Sequence, residues 1–163
     1  MAKRIVTRLG DIFEVPLEDN FKAYFQYIMR DFTELNGDVI RVFKPRYRQD
    51  DVLDLEDVVQ TDIEFYVHTS VLPGAKQGLW NKMGNIKVPV DIERPCFRGT
   101  DDDDPSIKIS ERWYIWRAND ENFTYVGKFT KKYHHCDRGG IFPPFAIKNR
   151  IQTGDDGFFE HGF

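Results

Sequence analysis

Cysteine is nearly absent: the 163 residues contain two, Cys96 and Cys136. Two are too few for the framework of a disulfide-stapled secreted domain. With no export signal in view, both read as free thiols of a cytoplasmic protein. Long apolar runs are missing too. The longest, Trp113-Tyr114-Ile115-Trp116, is far short of the ~20 residues of a spanning helix. The N-terminal Met1-Ala2-Lys3-Arg4-Ile5-Val6-Thr7-Arg8 is basic but lacks the apolar core of a secretory signal. Positive charge is not in excess either. Lys and Arg number 23 against 27 Asp and Glu, a net charge of −4. That opposes the basic signature of a nucleic-acid binder. Neither a membrane nor nucleic acid is expected as a partner.

Signatures of catalysis are also lacking. Ser70, Ser106 and Ser110 sit in no G-x-S-x-G elbow, and Gly74-Ala75-Lys76-Gln77-Gly78 is not a phosphate-binding loop. His134-His135-Cys136-Asp137 has none of the spacings of a structural zinc site, and neighbours on a strand point to opposite faces. Asp101-Asp102-Asp103-Asp104-Pro105 lacks the alternating ligands, central Gly and terminal Glu of a calcium loop, so it reads as a solvated turn. No enzyme, no metal and no cofactor is the resulting expectation.

What the chain does have is rings. Aromatic residues make up 15% of it, 14 of them Phe, and large rings favour the half-buried faces of strands. A chain of this size buries about 70% of the surface its unfolded form exposes, enough for one domain without a staple. No repeat or flexible linker divides it. Residues 1–163 therefore read as a single β-rich domain, with 155–163 set apart as a candidate flexible tail.

Alternation supports that reading. From Phe21 to Arg30, Phe21, Ala23, Phe25, Tyr27 and Met29 fall on one face, the period of a strand. Asn36-Gly37 offers left-handed turn residues, and Val39 to Lys44 returns. Ile12 to Leu17 alternates as well, with Pro16 placing its end or an edge there. Further strands are expected near 63–69, 84–90, 111–117 and 123–128, the last two joined by Asn119-Asp120-Glu121-Asn122. One helix is expected around Val52, Leu55 and Val59, and another from Pro144 to the stop signal at Gly154. The fold class is mainly β: a twisted antiparallel sheet or partly open barrel, SH3-like in part, with about two short helices. The expected core draws on Phe13, Val15, Phe25, Tyr27, Ile40, Val42, Phe65, Val67, Trp80, Ile86, Trp113 and Ile115.

Charge is distributed unevenly. Between Gln49 and Val67 lie seven acids and no base, directly after the alternating cations Lys44, Arg46 and Arg48. A solvated acidic face, neutralised by that basic stretch, is the plainer account. The functional account is a docking patch for a basic protein, with Asp50, Asp51, Asp54, Glu56 and Asp57 as the contacts, because opposed potentials steer encounter.

Several motifs in order resemble the bacterial immunity protein 26 family. They are Gly10-Asp11-Ile12-Phe13-Glu14-Val15-Pro16-Leu17, an aromatic hairpin after it, Gly78-Leu79-Trp80 with Gly84, then Pro95-Cys96-Phe97-Arg98 and Trp113-Tyr114-Ile115. The similarity runs from about Arg8 to Val126, and the opening Gly-Asp-Ile is shared with small SH3-like barrels. The resemblance implies a β-rich immunity protein of a polymorphic toxin system, which protects its cell by binding and neutralising a cognate toxin. It supplies no catalytic motif. Two other classes compete. A small-molecule or carbohydrate-binding β module requires exposed rings around a concavity, with Trp80, Trp113 and Trp116 the test. An enzyme would use His68 or His134 with one of the acids.

Overall fold

The structure, a computed structural model, describes residues 3–163. It is mainly β, built from two sheets, and it is not a closed barrel. The first sheet contains β1 (Asp11–Pro16), β2 (Phe21–Asp31), β3 (Gly37–Phe43), β4 (Tyr47–Arg48), β5 (Ile63–Thr69) and β6 (Asn81–Asn85). Its order is β5-β3-β2-β1-β6, and β4 pairs with the start of β2 where β3 has already turned away. The second sheet runs β10-β7-β8-β9, from β7 (Cys96–Thr100), β8 (Trp113–Arg117), β9 (Thr124–Gly127) and β10 (Asp137–Arg138). Its β10 lies parallel to β7, so the sheet is mixed. Three helices complete the described fold: α1 (Leu55–Val58), α2 (Val71–Lys76) and α3 (Pro144–Thr153), with one 3-10 turn at Lys131–Tyr133.

Alternation along the first sheet sorts its side chains into two cores. Phe13, Val15, Ala23, Phe25, Tyr27, Ile40, Val42, Phe65 and Val67 face α2 and α3. Phe25 stacks on Phe13 at 5.1 Å and meets Trp80 edge-on at 5.0 Å. The Trp80 indole donates to the Val71 carbonyl at 3.0 Å. Gly74 makes that seat, since a Cβ there would fall 1.9 Å from the ring. The opposite face buries Ile12, Tyr24 and Phe43 under α1, and Ile28 and Val39 under the second sheet. Burying that many rings and branched chains is the main stabilising term, each contributing about 1.5–3 kcal/mol.

Several expectations hold in detail. Pro16 closes β1, and α3 starts at Pro144 and ends on Gly154, whose φ of 85° only glycine adopts freely. Ten of the twelve expected core residues are buried, and Ile86 and Ile115 are half-buried. Others change. A bulge between Tyr27 and Met29 sends Met29 to the Ile28 side, away from Phe25. Leu35 and Asn36, at φ 48° and 57°, make the left-handed turn, and Gly37 already belongs to β3. The strand expected at 84–90 is β6 at Asn81–Asn85, and residues 86–90 form a loop. Val52 lies outside α1 and is 99% exposed.

The largest correction concerns the cysteines. Cys96 and Cys136 are joined in a disulfide across 40 residues, not free thiols. The parallel pairing of β10 with β7 brings them together. Sequence distance hid that juxtaposition. Residues 155–163 run back along the second sheet: Glu160 bonds Arg98 at 2.6 Å and Arg138 at 2.8 Å, and Gly162 bridges to Ile109.

Candidate functional site

The acidic segment lies where β4 ends and α1 begins, over the Tyr24–Phe43 face of the first sheet. Asp50, Asp51, Asp54, Glu56 and Asp57 are all exposed, on eight consecutive residues. Two of them hold the local backbone. Asp51 accepts from the Arg48 amide at 3.0 Å, and Asp54 caps α1 by accepting from the Glu56 amide at 3.0 Å. Lys22, almost fully buried, anchors the segment from below through the Gln49 and Asp51 carbonyls, at 3.0 and 2.6 Å. None of the five carboxylates forms an ion pair among the described residues. The neighbouring basic stretch does not neutralise them: Arg46 turns to Glu64 at 2.7 Å, and Arg48 lies over the Phe21 ring. A fixed backbone therefore presents five uncompensated negative charges to solvent.

The histidines named as catalytic candidates sit in different surroundings. His68 and Asp31 are both sealed from solvent, with Nε2 and Oδ2 2.9 Å apart. Asp31 also accepts from Thr33 and from the Asn119 amide, so the β8–β9 hairpin loop is clasped to the end of β2. Burial alone would raise the Asp31 carboxyl; the hydrogen bonds from His68, Thr33 and Asn119 outweigh it and leave it below its ordinary value. His134 stacks on Phe129 at 5.8 Å and tilts against Phe163, with no carboxylate paired to it among the described residues. Cys96, His135 and Cys136 do cluster, with the His135 Nε2 3.6 Å from the Cys136 sulfur, but the disulfide occupies both thiolate positions a metal would need. The run Asp101–Asp104 disperses: Asp102 bonds Ser110 at 2.6 Å and Arg112 at 3.3 Å, and Asp104 takes the Ser106 amide.

Trp80, Trp113 and Trp116 are buried, 1%, 1% and 6% exposed, so they offer no ring platform. A cleft of about 400 Å³ nevertheless opens beside Trp113 and Trp116. Its lining includes Tyr114 and Phe123, stacked at 5.4 Å, together with Glu34 and Gly139–Gly140. Glycine is required at 139, where a Cβ would sit 2.1 Å from the Trp116 ring. Sequence reading passed over Glu34 and Phe123; a large ring in a hairpin loop, half exposed at 51%, was the available signal. A second cleft, about 590 Å³, lies between residues 3–8 and Lys82–Gly84 and is lined by Lys3, Arg4, Arg8 and Lys82. The two clefts have opposite charge.

No family model, curated protein or solved structure matches the chain.

Proposed function

We propose that this protein is a non-catalytic immunity protein, which binds a cognate toxin and neutralises it by occupying its active site or an adjacent face. The observation that carries the reading is the acidic segment: five exposed carboxylates without ion pairs, held on a fixed backbone. Such a patch steers a basic partner and rejects acidic ones, and toxins that cleave nucleic acid are commonly basic. The motifs from Gly10 to Ile115 support the same class by resemblance. The partner is a cognate toxin, with no cofactor, and the place of action is the cytoplasm. The Cys96–Cys136 bond pulls against that placement, because disulfides persist mainly in oxidising compartments. Alkylating free thiols in intact cells before mass analysis decides it: two alkylated cysteines fit the cytoplasm, and none places the protein outside it.

The function itself is tested by co-expression with the toxin domain encoded beside its gene. Growth rescued by this protein, through a complex that survives gel filtration, is the expected result. Unrescued growth with both proteins soluble would contradict it.

A further inference from the structure

The cleft on the second sheet has a chemistry of its own. Two arginines line it, yet both are already satisfied. Arg98 donates to Glu160 and to the Cys136 carbonyl. Arg138 donates to Asp156, Glu160 and the Phe158 and Phe159 carbonyls. Asp102 is engaged by Ser110 and Arg112. Among the described residues, the lining side chains left without a hydrogen bond or ion pair are Glu34, Asp103 and Tyr114, with the Trp116 indole N–H buried and unpartnered behind them; the two that carry charge are both carboxylates.

Glu34 is half-buried, and its carboxylate has no hydrogen-bond or ion-pair partner among the described residues. Burial, its largest influence, raises its pKa, as does nearby Asp31, while His68 opposes them. The Tyr114 and Phe123 rings line the same cleft, and aromatic faces attract cations. An anion is disfavoured by the two free carboxylates, and an apolar group would leave Glu34 desolvated. A flat or compact organic cation suits both the rings and the carboxylates.

We infer that this cleft receives a guanidinium or ammonium side chain, an Arg or Lys presented by the bound protein partner, between the Tyr114–Phe123 rings and the Glu34 carboxylate. The inference rests on the reading of the molecule as a protein-binding module and adds a second contact, on a different sheet from the acidic segment.

Capped single residues test it without the partner. Nα-acetyl-arginine methylamide and its lysine counterpart are titrated into the whole protein, with the Tyr114 and Phe123 resonances followed by NMR. Saturable millimolar binding of either probe is expected. Glu34→Gln and Phe123→Ala should each weaken it at least tenfold, and Glu121→Gln, on the same hairpin outside the cleft, should leave it unchanged. Circular dichroism confirms that each variant is folded. Three results overturn the inference: no saturable shift with either capped cation, tighter binding of free arginine than of its capped form, or saturation by cellobiose instead. Free arginine would point to a metabolite, and cellobiose to a carbohydrate module. Each of these outcomes removes the cleft contact and leaves toxin rescue to be judged separately.

Discussion

The two sheets are held together by different physics. The first is a plain sandwich of apolar faces: rings and branched residues alternate along β1, β2, β3 and β5 and fill both sides. The second is small, and cross-links fix it: the Cys96–Cys136 bond, the Arg98–Glu160–Arg138 cluster and a row of stacked rings from Tyr114 to Phe123. Arg150 joins them, lying 3.7 Å over the Phe65 ring of the first sheet while facing Asp137 of the second. A large apolar core tolerates loss at its margins, whereas a staple-held sheet depends on each connection.

The largest expected effect lies in the first sheet. Phe25→Ala removes a ring that touches both Phe13 and Trp80 and should cost about 3–5 kcal/mol in urea denaturation. An unchanged midpoint would show that this face is not the main core. Next comes the staple. Replacing both cysteines with serine frees a 40-residue loop and should cost about 2–4 kcal/mol. The comparison predicts where: amides of β7, β8 and β10 should exchange faster while those of β2 and β3 keep their protection. Equal loss in both sheets would mean they are one cooperative unit.

The contact between the sheets is smaller and depends on pH. Asp31→Asn weakens the clasp to His68 and Asn119 and should cost about 1–3 kcal/mol near neutrality. The Asp31 carboxyl is depressed in the folded state, so its contribution is present above the ordinary value of 3.8 and is lost as pH falls through the lower native value. Wild type should therefore lose more stability than Asp31→Asn on acidification below about pH 4. Parallel curves would remove Asp31 from the account.

The same contrast explains what could be read from sequence. Period-2 runs announce strands, so β1, β2, β3 and β5 were legible, down to the identical bounds for Ile63–Thr69, although alternation marks a half-buried strand and β2 is buried on both faces. Trp80 as a core anchor was legible too. Strand β7 was not: Cys96-Phe97-Arg98-Gly99-Thr100 has a charge and a glycine where alternation would be sought, and its pairing comes from Trp116 and Tyr114 across the ladder. The disulfide and the Glu34 cleft join residues 40 and more positions apart, beyond the reach of local spacing. The acidic segment was visible as composition. Its lack of ion pairs was not, because Arg46 finds Glu64 only in the folded sheet.

The smallest effect on stability tests the central claim most directly. Asp54→Asn, Glu56→Gln and Asp57→Asn together keep the cap chemistry at position 54 and alter only exposed charge, so the urea midpoint should not move. Association with the cognate toxin is measured at low and at physiological salt, wild type beside the triple variant. The account predicts a slower on-rate for the variant at low salt and a flatter salt dependence, since charges separated by more than about 8 Å are screened at physiological ionic strength. An unchanged on-rate at low salt would contradict it: the acids would then serve only to solvate a short helix.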